Sequence, residues 1–144
     1  MPALFEYHIF ISHAWKYGDE YNRLINLLNS ASNFKYTNYS APSDKPLQNL
    51  NSTDVNTKKE IKEAISRKIR PCCCVLVISG MYVAYREWMQ YEIETAKAMN
   101  KPIIAIYPWG NQIMPSAVRS VATVTVNWNT TSIVDAIRKY GRVD

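Results

Sequence analysis

The run CCCVLVIS, Cys72 to Ser79, restricts the fold more than any other stretch of the chain. It is nearly continuous in apolar residues, without the polar alternation of a half-solvated strand, and so has the pattern of a central parallel strand covered on both faces. KPIIAIY, Lys101 to Tyr107, repeats that pattern. Between the two lies REWMQYEIETAKAM, in which Met89, Ile93 and Ala96 recur at helical spacing. The three segments together read as strand, crossover helix and strand.

The same alternation continues in both directions. YHIFIS is a short strand rich in β-branched and aromatic residues, and DEYNRLINLLNSA carries Tyr21, Leu24, Ile25 and Leu28 on one helical face. FKYTNYS is a second, more polar strand that suits a sheet edge. It runs into APSDKPLQNLNSTDVN, a loop punctuated by Pro42 and Pro46 and of a length usually reserved for function or disorder. Thr57 and Glu60 have the spacing of a capping box, and Ile61, Ala64, Ile65 and Ile69 form the buried stripe of the helix expected there. Past KPIIAIY come the breaker residues Pro108 to Asn111 with Trp109, a short helix in PSAVRSV, a last strand in TVTVNW, and a helix in SIVDAIRKY with Ile133, Ala136, Ile137 and Tyr140 in register. About five strand and helix pairs without an internal repeat predict one α/β domain over residues 1–144. Its expected architecture is a three-layer, flavodoxin-like fold with a five-stranded parallel sheet in the order 2-1-3-4-5 and helices on both faces.

A chain of 144 residues can bury one sizeable core without disulfide or metal staples. No apolar run approaches the roughly 20 residues of a membrane span, and MPALFEYHIF has no basic region, apolar block and cleavage site in succession. The expectation is a soluble, cytoplasmic protein with no membrane partner. Cys72, Cys73 and Cys74 are consecutive, which is neither a disulfide framework nor a zinc knuckle, and they read as small apolar residues opening a buried strand. Much of the +5 charge lies in KKEIKEAISRKIR, where no aromatics interleave with the cations. That segment reads as a solvated helix face, with no nucleic-acid partner.

In an open parallel sheet, ligands bind beyond the carboxyl ends of the strands, where the strand order reverses. Here that switch point lies between the first and third strands, flanked by Ser12-His13-Ala14 and Ser79-Gly80-Met81-Tyr82. Trp88 and Glu92, one helical turn apart, are expected to look toward its mouth from beside the core-facing stripe. Glycine fingerprints for dinucleotides and P-loops are absent. The crevice also lacks the carboxylate cluster that a magnesium-dependent receiver would need, and His8 and His13 are too few for a catalytic zinc, so no metal is expected. What remains is one carboxylate, hydroxyls, an imidazole and aromatic walls. Such a set suits cleavage of a glycosidic bond, whose transition state puts positive charge on the sugar ring.

HIFISHAW, NYSAPSDKPL, VLVISGMY and WMQYEIETAKAMNKPIIAIYPWG resemble the TIR domain superfamily, and more closely the TIR-like subunit of the bacterial Thoeris antiphage system. The resemblance spans nearly the whole chain, and its most specific element is W-x-x-x-E in an S-G context. It implies an enzyme that cleaves nicotinamide from NAD, with NAD as substrate and no cofactor, and that releases a cyclic ADP-ribose isomer to a separate effector. It further implies a homo-oligomer built through TIR–TIR contacts. Carried over by position, Glu92 is the implied catalytic glutamate, and Ser12, His13, Tyr39, Ser40, Asp44, Ser79, Gly80 and Trp88 are the implied walls of the NAD site. The usual tyrosine after the first-strand serine is His13 here, and the loop from Ala41 to Leu50 differs from ordinary TIR loops, which leaves a linear or a cyclic product open.

Other readings stand beside this one. By pattern alone Glu92 reads first as a solvated helix carboxylate paired with Lys97 or another neighbour, Trp88 as a partly buried helix anchor, Asp44 as a turn residue and His13 as either a loop hydrogen-bonding group or a ligand contact. A non-enzymatic TIR-type adaptor acting by self-association, and a nucleoside deoxyribosyltransferase-like enzyme, remain open alternatives.

Overall fold

The computed structural model describes residues 6–12, 19–39, 55–79, 86–107 and 114–141, without the side chains of residues 19–20, 55–58, 60–61 and 86–88. In chain order the elements are β1 (Glu6–Ser12), α1 (Asp19–Asn29), β2 (Lys35–Asn38), α2 (Val55–Ile69), β3 (Cys74–Ile78), α3 (Arg86–Ala98), β4 (Ile103–Ile106), α4 (Ser116–Arg119), β5 (Val124–Val126) and α5 (Thr130–Tyr140). The sheet runs β2-β1-β3-β4-β5, and every neighbouring pair is parallel. This is the flavodoxin-like order that the alternation of elements predicts. The reversal lies at β1, which pairs with β2 on one side and with β3 on the other.

Right-handed crossovers dictate the layers. The chain moves one way from β1 to β2 and the other way from β3 through β5, so its connecting helices divide between the two faces. Accordingly α1 packs with α5, and α2 with α3. All five residues of β3 and all four of β4 are buried, as their apolar runs require, whereas β2 at the edge is exposed or half-buried throughout. Leu24, Leu28, Ile65, Ile69, Met89, Ile93, Ile133 and Ile137 bring the helical stripes into one core with Ile9, Phe10, Ile11 and Leu76. The Asn129 side chain accepts a hydrogen bond from the Ser132 amide at 2.7 Å and so caps α5.

Two local expectations change. Helix α2 begins at Val55, two residues before Thr57. Thr57 therefore lies inside the first turn, and the capping-box reading fails because the helix extends past its expected start. Among the cysteines, Cys72 and Cys74 are buried, but Cys73 is half-buried. The middle cysteine differs from its neighbours as strand alternation predicts; what changes is the start of the strand, since β3 begins only at Cys74 and Cys73 lies in the bend before it.

Candidate functional site at the carboxyl edge of the sheet

Helix α3 decides where the carboxylate goes. Met89, Ile93 and Ala96 are at most 1% exposed and seat the helix on the sheet. Glu92 follows Met89 by three residues and precedes Ala96 by four, which puts it on the buried face itself. It is 1% exposed. This corrects two expectations at once: Glu92 lies within the core-facing stripe instead of beside it, and it is no solvated partner of the exposed Lys97.

The last residue of β1 meets it there. Ser12 Oγ donates to Glu92 Oε1 at 2.7 Å, and Ser12 is fully buried. The β1–β3 register, Ser12 opposite Val77, brings the residue just after β3 to the same end of the sheet. That residue is Ser79. It too is fully buried, and among the described residues its Oγ has no hydrogen-bond partner. A buried hydroxyl left unpaired costs about 1–3 kcal/mol, and native folds seldom retain one without a use for it.

The electrostatics have the same character. A carboxylate out of water is costly unless hydrogen bonds or opposite charge compensate it. Ser12 supplies a hydrogen bond. Lys68, near the end of α2, supplies charge: burial lowers its ammonium pKa, and attraction to Glu92 works against that shift. The sequence reading placed Lys68 on a solvated face, yet it is half-buried. Its position beside Ile69, at the border of the apolar stripe, was the available signal.

The remaining implied site residues divide into two groups. Tyr39 is described, and its ring lies 5.2 Å from that of His8, with the hydroxyl 3.4 Å from His8 Nδ1. This contact turns it toward a residue four positions before Ser12 on β1. His13, Ser40, Asp44, Gly80 and the side chain of Trp88 lie outside the described residues, as do Trp109 and most of the loop after β2. No group of three or more metal-ligating side chains occurs among the described residues, and no described helix is long and apolar enough to cross a membrane.

A buried carboxylate held by a serine at the switch point of a 2-1-3-4-5 sheet, beside a second buried serine, is the constellation that the family comparison addresses. A family model for the TIR-like domain of the Thoeris protein ThsB matches residues 10–113. The chain belongs to this family. The match runs from β1 past β4, so Ser12, Ser79 and Glu92 all fall inside it, and it ties the chain to the Thoeris antiphage defence system. No curated protein matches the chain.

Proposed function

We propose that this TIR-like domain is an NAD-cleaving signalling enzyme, an NAD nucleosidase and ADP-ribosyl cyclase, with Glu92 as its catalytic carboxylate. The observation that carries the reading is the burial of Glu92 at the carboxyl edge of the sheet, bonded to Ser12 at 2.7 Å. Loss of nicotinamide leaves positive charge on the ribose ring, and a fixed anion in a water-poor site stabilises that charge far better than solvent does. Nicotinamide leaves from a cationic nitrogen, so no general acid is required and one carboxylate suffices.

In this mechanism Glu92 holds the nicotinamide ribose and faces the developing oxocarbenium ion. Ser12 orients the carboxylate through the oxygen it already binds. The Ser79 hydroxyl, without a partner among the described residues, is available to the substrate as donor or acceptor. His13, Tyr39, Ser40, Asp44, Gly80 and Trp88 enter as walls of the NAD site by family resemblance alone. Capture of the sugar cation by an adenosine atom gives a cyclic ADP-ribose isomer, and capture by water gives the linear product. The product then acts on a separate effector, and the domain assembles with further copies of itself through TIR–TIR contacts.

The test is incubation of the purified protein and its Glu92→Gln variant with NAD, followed by chromatography and mass spectrometry, alone and with lysate from phage-infected cells. Nicotinamide release by the wild type only, with a product of cyclic ADP-ribose mass, is the expected result. Equal turnover by both proteins would remove Glu92 from the mechanism. Absence of turnover under every condition, together with concentration-dependent self-association, would favour the adaptor.

A further inference from the structure

Strand register fixes where the Ser79 side chain stands. Ser12 pairs with Val77 across the parallel β1–β3 ladder, so these two side chains share one face of the sheet. Ser79 follows Val77 by two residues, the interval that returns a side chain to the same face. Ser12 donates to Glu92 Oε1 at 2.7 Å, which identifies that face as the one covered by α3. Strand spacing and rise put the Ser12 and Ser79 Cα atoms about 8 Å apart. Two hydroxyls and a carboxylate therefore share one small region, and they differ in what they hold. Ser12 is engaged by Glu92, whereas Ser79 Oγ is fully buried and has no partner among the described residues.

Its surroundings do not make up that deficit. Val77 and Ile78 before it, and the Met89 and Ile93 stripe of α3 on that face, are buried apolar side chains. A hydroxyl in such a place gains a full hydrogen bond from a group that enters the site, and the gain is large because water does not compete for it. Glu92 restricts what that group can be. A phosphate oxygen would set negative charge beside a buried carboxylate, which a low dielectric makes costly. The carboxamide of nicotinamide has donors and an acceptor, but it departs with the leaving group and would hold the ring instead of the sugar. A sugar hydroxyl both donates and accepts. One member of a vicinal pair can give its hydrogen to Glu92, which as a carboxylate only accepts, while the other pairs with Ser79.

We infer, resting on the NAD reading above, that Ser79 is a specificity-determining residue that pairs with a hydroxyl of the ribose undergoing cleavage. The site then accepts ribosides and discriminates against their deoxy counterparts. An analogue that lacks the partner hydroxyl forfeits the bond and also leaves Ser79 desolvated and unpaired, which is how a buried polar group enforces selectivity. The same feature separates this domain from a nucleoside deoxyribosyltransferase-like enzyme, whose substrates lack one hydroxyl of the pair.

The test is a substitution cycle across the contact. Wild type and Ser79→Ala are assayed with NAD and with its analogues lacking the 2′- or the 3′-hydroxyl of the nicotinamide ribose, alone and with lysate from phage-infected cells. Nicotinamide release gives kcat/KM, and the thermal shift that each ligand produces in the purified protein reports binding without turnover. Ser79→Ala should cost NAD about tenfold to a hundredfold in kcat/KM and leave one of the two analogues within about twofold of its wild-type value. The greater intrinsic lability of a deoxyriboside is common to both proteins and cancels in the ratio. A structural Ser79, or one that contacts the carboxamide, would lower all three substrates alike. Either of those results, or no effect of the substitution on any substrate, would overturn the inference and leave the NAD reading intact. Where NAD is bound but not turned over, the thermal shifts are compared in the same way. Neither turnover of NAD nor a thermal shift with it would remove the NAD reading, and this inference with it.

Discussion

The two ends of β1 and β3 share a backbone and differ in chemistry. At the carboxyl end, Ser12, Ser79 and Glu92 are at most 1% exposed, and the acidic group is sealed inside the packing of α3 on the sheet. At the amino end, Cys73 and His8 border an open cavity. Burial strengthens whatever electrostatic interaction the first set makes with a bound ligand, whereas the second set stands beside solvent, where such interactions are weaker. One fold therefore holds a sealed polar site and an open cavity on the same two strands, and they can be perturbed separately.

Four experiments test that separation, beginning with the largest effect. Glu92→Gln keeps an acceptor for Ser12 and removes the charge. Turnover of NAD is expected to fall by about a thousandfold or more, on the scale of a lost transition-state stabiliser, while the thermal midpoint stays at or above that of the wild type, because a buried charge is removed. Next, Leu76→Ala opens a cavity midway between the two ends, in a fully buried strand. It should cost about 2–5 kcal/mol in urea unfolding and loosen both ends together, the one substitution of the five that does so.

The two serines should then diverge. Ser12→Ala removes a hydrogen bond to a carboxylate, and a loss of about 1.5–3 kcal/mol is expected from denaturant melts. Ser79→Ala removes a buried hydroxyl with no partner among the described residues, so stability should rise by about 1 kcal/mol while NAD turnover falls. Equal losses of stability for both would mean that Ser79 is a structural group. The smallest effect at neutral pH is at the other end. Because Cys72 is raised in the folded state to about 12 from 9.0, its contribution to stability is complete below pH 9 and is lost as pH rises toward 12. Unfolding midpoints measured across that window should fall less steeply in Cys72→Ala than in the wild type.

Much of the fold was legible before any coordinates. The apolar runs of β3 and β4 and the helical stripes of α1, α3 and α5 are local signals, and local periodicity is what a sequence carries most directly. The edge position of β2 was legible in its polarity. The start of α2 was misjudged because a T-x-x-E spacing also occurs within a helix. Glu92 was found by its setting, a carboxylate four residues after Trp88 in a family-like context, but its burial was not, although the spacing from Met89 to Ala96 already contained it.

What the sequence determined by itself is the alternation of elements, the order of the sheet that right-handed crossovers then impose, and the family to which residues 10–113 belong. Tertiary structure alone decided that Ser12 and Glu92, 80 residues apart, share a hydrogen bond, and that Lys68 lies within the field of Glu92. The reason is physical. A residue's hydrophobic pattern is set by its neighbours in the chain, whereas its solvation and its hydrogen-bond partner are set by strand register and helix packing, which join positions far apart in sequence.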